Sequence, residues 1–213
     1  MSGASYPKVL VPVDHYYTEK IKLHGTTSLG VDWNSPESQE LRFEQLTKII
    51  DSSVKFSIND FGCGYGSLYS FLVKKNCQLQ YYGFDISSEM IQKAKQKHQN
   101  ISRAQFKIGH APWKKSDYGI ASGIFNVRLK SPKPLWEKYI LNTLDRMNSF
   151  SQKGFSFNCL TKYSDKNKMR SYLYYADPLF LFDYCKKKYS KNVALLHDYA
   201  LYEFTILVRK NIQ

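Results

Sequence analysis

The sequence predicts an α/β fold with a doubly wound, seven-stranded sheet whose last strand is antiparallel. From about residue 55 onward, strand-like and helix-like hydrophobic patterns alternate. A glycine-rich turn follows the first strand-like segment, and the last two segments are too close for a parallel crossover. No repeat or Pro/Gly-rich linker interrupts the 213 residues. We therefore expect a single domain, 1–213, with a front segment and helix in 1–50 and the core in 55–213.

Short apolar runs between turn signals predict the strands. In chain order they are Phe56 to Phe61, Leu79 to Phe84, Ala104 to Ile108, Tyr118 to Phe125, Gly154 to Leu160, Val193 to Tyr199 and Leu201 to Val208. Apolar residues at helical spacing predict the intervening helices. Their buried faces carry Leu68, Phe71 and Leu72, then Met90, Ile91 and Ala94, then Trp136, Ile140, Leu144 and Met147. A further helix is expected from about Asp177 to Tyr189.

Two helix starts have clear signals. Ser87 can cap the helix after the second strand. In the front segment, Ser35-Pro36 places proline at the first helical position, and Arg42, Leu46 and Ile49 then share one face. An arginine on an apolar face needs a partner.

The glycine-rich turn is the first candidate site. Gly62, Gly64 and Gly66 follow the acid Asp60, and glycines between a strand and a helix let a ligand approach the main chain. The spacing differs from the dinucleotide pattern G-x-G-x-x-G, because Ser67 stands where the third glycine would fall. Asp60 could orient the loop and meet an ammonium or ribose group, whereas a turn needed only for packing is the alternative.

Asp85 is the second candidate, at the end of the second strand. A carboxylate there can accept hydrogen bonds from both hydroxyls of a ribose, and Ile86 and Met90 can border an adenine ring. A role for Asp85 as a helix cap only is the alternative.

These two stretches resemble the first two motifs of class I S-adenosylmethionine-dependent methyltransferases of the small-molecule type. The resemblance implies a Rossmann-like methyltransferase fold over the chain from about residue 55 and S-adenosylmethionine as cofactor. It implies that Gly62, Cys63 and Gly64 approach the methionine part and that Asp85 holds the ribose. The motifs are specific to the superfamily and say little about the substrate.

Two later segments depart from patterns found in such enzymes. After the third strand, the family often has an acid near the adenine amine, where this chain has His110 and Ala111. At the end of the fourth strand, where Ser122 is a further expected cofactor contact, "ASGIFNVR" does not match the (D/N/S)-P-P-(Y/F) motif of enzymes that methylate base amines. This argues against an exocyclic base amine as acceptor.

The front segment is expected to close over the cofactor, as it often does in small methyltransferases. Arg42 could then bind the cofactor carboxylate, or it could pack at the rim. For Tyr17 and Trp33, cofactor contact and ordinary core packing both remain open.

Candidates for the chemistry are fewer. His24, in a His-Gly pair of the front segment, could act as a general base, and Asn126 could orient the acceptor. A surface position for His24 is the alternative. The acceptor could also meet Tyr174, Tyr175 and Asp177, which follow the fifth strand, or His197. A packed aromatic loop explains the tyrosines equally well.

Charge and composition limit the function classes. The formal net charge of +13, with Lys186 to Lys188 as one cluster, fits either a solvated surface or a polyanion-binding patch. Four widely spaced cysteines predict free thiols in the cytoplasm, and neither a metal motif nor a membrane span is present in the sequence. We expect methyl transfer to an oxygen or nitrogen of a small molecule. A methyltransferase for RNA or protein, and a binding scaffold without catalysis, are the alternatives.

Overall fold

The computed structural model describes residues 7–210, whose centre is a seven-stranded sheet of order β3-β2-β1-β4-β5-β7-β6. The strands are β1 Phe56–Phe61, β2 Leu79–Asp85, β3 Ala104–Ile108, β4 Ser116–Ala121, β5 Ser151–Leu160, β6 Asn192–Leu196 and β7 Glu203–Arg209. Strand β7 pairs antiparallel with both β5 and β6, and the pairs among β1 to β5 are parallel. The predicted fold class, including its antiparallel last strand, is confirmed.

Six α-helices accompany the sheet. They are α1 Val11–His24, α2 Pro36–Thr47, α3 Ser67–Lys74, α4 Ser88–Lys97, α5 Lys133–Phe150 and α6 Pro178–Lys188. Short 3-10 turns cover Lys8–Leu10, Leu29–Val31 and Lys166–Lys168. None of the helices within residues 7–210 has the length and apolar character needed to cross a bilayer.

The predicted helix starts are present with their caps. Ser35 Oγ accepts a hydrogen bond from Ser38 N at 3.2 Å and forms a capping box before α2. Ser87 Oγ accepts from Met90 N at 3.4 Å before α4, and Asp177 Oδ1 accepts from Leu179 N at 3.0 Å before α6. These side chains satisfy amide groups that have no partner within the helix.

Two strands are shorter than predicted. Strand β4 ends at Ala121 because the chain turns at Gly123, whose φ is +75°, so residues 122–125 leave the sheet while Phe125 stays buried in the core. Strand β6 ends at Leu196 rather than Tyr199. Beyond β4, Ile124 and Phe125 extend the apolar pattern, so hydrophobicity alone does not show where the backbone pairing stops. Beyond β6 the next residues are the polar His197 and Asp198.

Strand order reverses between β1 and β4, which pair in parallel side by side. One apolar cluster includes residues of α5, α6 and the first residues of α1, and a second includes residues of α2, α3 and α4. In open α/β sheets, ligands bind beyond the carboxyl ends of the strands at such a reversal. The turns after β1, β2 and β4 are therefore the expected place for a site.

Candidate functional site

A pocket lies at the carboxyl ends of β1, β2 and β4, between these turns and helix α1. It encloses about 940 Å³ of space between atoms, part of which is open to solvent. Most of the predicted cofactor contacts line it: Tyr17, Trp33, Asp60, Gly62, Cys63, Gly64, Asp85, Ile86, Met90, His110 and Ser122. The residues that the sequence motifs single out thus meet in one cavity.

The turn after β1 has a backbone that only glycine adopts easily. Gly62 and Gly64 have φ values of +70° and +53°, in the left-handed region. A Cβ atom at Gly62 would lie 2.3 Å from Cγ2 of Ile124, in the turn after β4. At Gly62, therefore, the close neighbour that excludes a side chain belongs to the protein itself, in addition to any ligand in the pocket.

Asp85 connects the ends of β1 and β2. Its Oδ2 accepts a hydrogen bond from Gly64 N at 2.9 Å, and its Oδ1 accepts from Ser87 N at 2.9 Å. A carboxylate oxygen has two acceptor positions, so each oxygen keeps one for a ligand hydroxyl. Burial raises the pKa of Asp85 to about 6, although the bonds from these amides lower it. The two remaining acceptor positions fit the two hydroxyl groups of a ribose.

Asp60 is the second carboxyl group of the pocket. It is fully buried and accepts a hydrogen bond from the hydroxyl of Tyr81. Burial raises the pKa of Asp60 to about 7, against the effect of the Tyr81 bond, and the nearby Asp85 raises it further. Two carboxyl groups in one pocket favour a ligand that carries positive charge.

The side of the pocket beside β2 and β3 suits a flat apolar ring. Ile86 and Met90 line it, and His110 follows β3 there. Burial lowers the pKa of His110, and the positive charge of Arg146 lowers it further. Ala111, the other residue expected near the adenine, does not line the pocket.

Helix α1 covers the pocket and is held to its surroundings by polar contacts. The hydroxyls of Thr18 and Ser87, at the start of α4, are 2.8 Å apart. The Tyr16 hydroxyl donates to Asp32 Oδ2 at 2.7 Å, and Lys20 Nζ lies 2.7 Å from Asp32 Oδ1. Tyr17, on the same helix, lines the pocket.

Arg42 has a different partner from the one predicted. It does not line the pocket but is buried beside Glu203, with Nε 3.0 Å from each carboxylate oxygen and Nη2 2.9 Å from Oε1. Its guanidinium carbon lies 3.9 Å from the ring centre of Trp33, which does line the pocket. The buried carboxylate of Glu203 explains why an arginine occupies the apolar face of α2, and Arg42 touches the pocket lining at Trp33.

The structure does not bring the predicted catalytic residues to the pocket. His24 is the last residue of α1, away from the lining. Asn126 lies behind the turn after β4, where its Oδ1 accepts from Leu160 N at 3.0 Å. This amide braces β5 rather than facing a ligand.

The predicted acceptor residues also lie outside the lining. The Tyr174 hydroxyl donates to Glu137 Oε1 at 2.9 Å, and the Tyr175 hydroxyl accepts from Arg170 N at 2.9 Å. Asp177 caps α6, and His197 packs near Phe204. In this arrangement the stretch forms a packed aromatic loop, which was the alternative interpretation.

Several lining residues were not predicted. Leu10 and Val13 from the start of the front segment, Ile124 from the turn after β4, and Tyr139 from α5 all contribute to the pocket wall. Tyr139 lies three residues after the buried Trp136, so helical spacing could have marked it as inward-facing. Leu10 and Val13 carry no such signal, because few residues of α1 are buried.

Comparison with known proteins agrees with this site. A family model described as a methyltransferase domain matches residues 59–136, from the end of β1 into α5. A protein of Mycobacterium tuberculosis (strain ATCC 25618 / H37Rv), named "Putative methyltransferase Rv1506c", is 53% identical over 163 residues, which cover 76% of this chain and 98% of that protein.

Solved structures share the fold at low identity. The DhpI–SAH complex has a TM-score of 0.66 at 12% identity and covers 99% of this chain and 100% of its own. Human N-acetylserotonin methyltransferase in complex with SAM has a TM-score of 0.66 at 14% identity, over 98% of this chain and 60% of its own. The matched family model and the relative of 53% identity agree with the carboxyl groups and glycine turn found in the pocket. The chain therefore belongs to the class I S-adenosylmethionine-dependent methyltransferases, and S-adenosylmethionine is its cofactor.

Proposed function

We propose that the enzyme transfers the methyl group to an oxygen or nitrogen atom of a small-molecule acceptor. The observation that carries this proposal is the position of α1 over the pocket. Leu10 and Val13 are almost completely buried while lining it, and Thr18 ties the helix to Ser87. An acceptor must therefore fit beneath a helix, which suits a small molecule better than a folded macromolecule.

We assign the cofactor contacts as follows. Asp85 would accept hydrogen bonds from the ribose hydroxyls, and the turn with Gly62 and Gly64 would approach the methionine part, with Asp60 near its ammonium group. Ile86 and Met90 would border the adenine. Cys63, His110 and Ser122 complete this part of the lining.

The bound cofactor supplies a methyl group on a positively charged sulfur. The protein's part is to align the acceptor with that methyl group and to keep water out, and such positioning contributes about 7–11 kcal/mol to lowering a barrier. The buried side chains of Leu10 and Val13 at the pocket wall serve the exclusion of water. Ile124, in the turn after β4, packs against Gly62, and this contact holds one wall of the acceptor space in place.

The charge of +13 keeps an RNA- or protein-directed enzyme as the second candidate. The lysine cluster Lys186 to Lys188 gives this candidate little support, because each ammonium group has a partner within the chain. Lys186 Nζ donates to the Lys191 carbonyl oxygen at 2.8 Å, and Lys187 and Lys188 pair with Asp183 and Asp145.

We also propose that the enzyme works in the reducing cytoplasm. Its four cysteines are free thiols, and Cys63, Cys159 and Cys185 are buried where oxidants have little access.

The proposal can be tested by the size of the labelled product. The enzyme is incubated with methyl-labelled S-adenosylmethionine and an extract of the native host, and ultrafiltration then separates metabolites from macromolecules. Unreacted S-adenosylmethionine is removed from the metabolite fraction by chromatography. We expect a labelled product there above the level in extract alone, and no such increase with Gly64→Val, which would block the cofactor site. Label found in RNA or protein instead would overturn the small-molecule proposal.

A further inference from the structure

The charges around the pocket are strongly unequal. Asp60 and Asp85 line it, whereas none of the 31 lysines and arginines does, and all of these lie within residues 7–210. Two guanidinium groups stand just behind the lining and are already engaged. Arg42 is paired with Glu203, and Arg146 Nη1 donates to the His110 carbonyl oxygen at 3.5 Å. An anionic ligand would therefore meet no free cationic side chain in this pocket.

One part of the lining is left over when the cofactor contacts are assigned. It includes Leu10 and Val13 in front, Ile124 in the turn after β4 and Tyr139 on α5, which belong to or pack against one apolar cluster. The 3-10 turn Lys8–Leu10 contacts α5, so these side chains enclose a common space. We call these four residues the acceptor wall.

Two tyrosines are among the polar groups near this wall, together with Thr143 and Ser122. Tyr139 belongs to it, and Tyr17 borders it, within electrostatic reach of both Tyr139 and Asp85. Burial raises the pKa of both phenols well above the ordinary value, so both hydroxyls are neutral at physiological pH. They can donate or accept a hydrogen bond but do not act as bases there.

We propose that the acceptor is a molecule with an apolar body and no anionic group, held at its reacting oxygen or nitrogen by the hydroxyl of Tyr139, with Tyr17 beside it. This inference rests on the proposed function, whose acceptor class it narrows. A carboxylate or phosphate in this space would lose its hydration without gaining a counter-charge from any lysine or arginine, and it would lie near Asp60 and Asp85.

The expectation that the acceptor carries no anionic group, which we call the charge rule, can be tested by ligand binding without turnover. The protein saturated with S-adenosylhomocysteine is screened by ligand-observed NMR against matched fragment pairs that differ by one carboxylate, of which tyramine and tyrosine are one pair. Among pairs that bind, we expect the member without the carboxylate to bind at least about tenfold more tightly. Equal or tighter binding by the carboxylated members would overturn the proposal.

Variants test the tyrosines. Tyr139→Phe and Tyr17→Phe should each weaken binding of the uncharged fragments by about two- to tenfold, the loss of one hydrogen bond, while binding of S-adenosylhomocysteine to Tyr139→Phe stays unchanged. Tyr163→Phe is the matched control, since Tyr163 is exposed and lies outside the pocket. A Tyr139→Phe variant that binds every fragment as the parent does would remove Tyr139 from the acceptor site.

Methyl transfer then separates this inference from the proposed function. The labelled product, freed of unreacted S-adenosylmethionine, is passed over an anion exchanger, and we expect the label in the unretained pool. Label in the retained, anionic pool would overturn the charge rule but leave the small-molecule proposal standing. Label in macromolecules would overturn both.

Discussion

At the scale of single residues, a buried chain of polar contacts supports one wall of the pocket. Glu203, on β7, is only 1% exposed and pairs with Arg42 on α2. Its Oε2 also accepts from Asn158 Nδ2 at 2.5 Å, and Asn158 Oδ1 accepts from Gly123 N at 2.7 Å. Arg42 stacks on Trp33, which presses against Gly123 so closely that a Cβ there would lie 2.3 Å from the indole ring. This series of contacts thus fixes the position of the turn after β4.

Removing Arg42 should therefore destabilise the fold. Arg42→Ala leaves the Glu203 carboxylate buried without a counter-charge, for which we expect a loss of about 3–5 kcal/mol in the free energy of unfolding. Arg42→Lys keeps the charge but loses the forked geometry, so its loss should be smaller. Urea unfolding measures both, with Lys187→Ala as control, because that lysine pairs with Asp183 at the exposed surface and should cost less than about 1 kcal/mol. A loss below 1 kcal/mol for Arg42→Ala would contradict the assigned role.

The raised pKa values of Asp85 and Asp60 predict opposite pH effects on stability and on cofactor binding. Both folded-state values, about 6 and about 7, lie above the ordinary carboxyl value. Their contribution to stability is present at low pH and is lost as the pH rises through 6 and 7. A ribose hydroxyl donates best to an ionised carboxylate, so affinity for S-adenosylhomocysteine should rise over the same range.

Calorimetric titration of S-adenosylhomocysteine measures this dependence. If binding requires the ionised form of Asp85, affinity at pH 5 should be about tenfold lower than at pH 8. Asp85→Asn should bind weakly at both values and show little pH dependence. A wild-type affinity that is constant from pH 5 to 8 would show that ionisation of this carboxyl group does not matter.

At the scale of elements, α1 is held by packing against α4 and the turn Leu29–Val31 and by a small set of polar contacts. Asp32 carries two of them, to Tyr16 and Lys20. Asp32→Ala should therefore loosen the helix, which predicts faster amide exchange in residues 11–24 and faster release of S-adenosylhomocysteine. Asp32 has a left-handed backbone, with φ of 61°, so the alanine also adds strain. Asn100→Ala is the matched control, since Asn100 has φ of 64° in a loop outside the pocket lining. Unchanged exchange in α1 would show that other contacts hold it closed.

The elements also show where the sequence was sufficient. Local signals predicted the core strands and the starts of α2, α4 and α6, because a cap such as Ser87 and the residues it satisfies are adjacent in the chain. The partner of Arg42 could not be read from local sequence, because Glu203 is 161 residues away. Leu10 and Val13 became pocket residues only through the packing of α1, which has few buried positions and therefore a weak apolar pattern. The positions of Arg42, Leu10 and Val13 are set by contacts between segments that are distant in the sequence.

At the scale of the whole molecule, the lysine cluster and the pocket lie at opposite ends of the parallel strands. Strand β6 runs parallel to β5, because each is antiparallel to β7. Helix α6 precedes β6, so its last residues, Lys186 to Lys188, stand near the amino ends of the parallel strands, whereas the pocket is at their carboxyl ends. A polyanion held by these lysines would keep its methylatable atoms far from Gly62 and Asp85.

Replacing all three lysines with glutamine should therefore leave catalysis almost unchanged. The triple variant lowers the net charge from +13 to about +10, yet the partners of these ammonium groups are Lys191, Asp183 and Asp145, none of which lines the pocket. We expect kcat/KM for the labelled metabolite within about twofold of the parent, at low and at moderate salt alike. A large loss of kcat/KM in the variant, together with a steep salt dependence of the parent, would indicate counterion release from a nucleic acid substrate. That result would make this face part of the substrate site and favour the macromolecular alternative, because a small acceptor beneath α1 has no contact with α6.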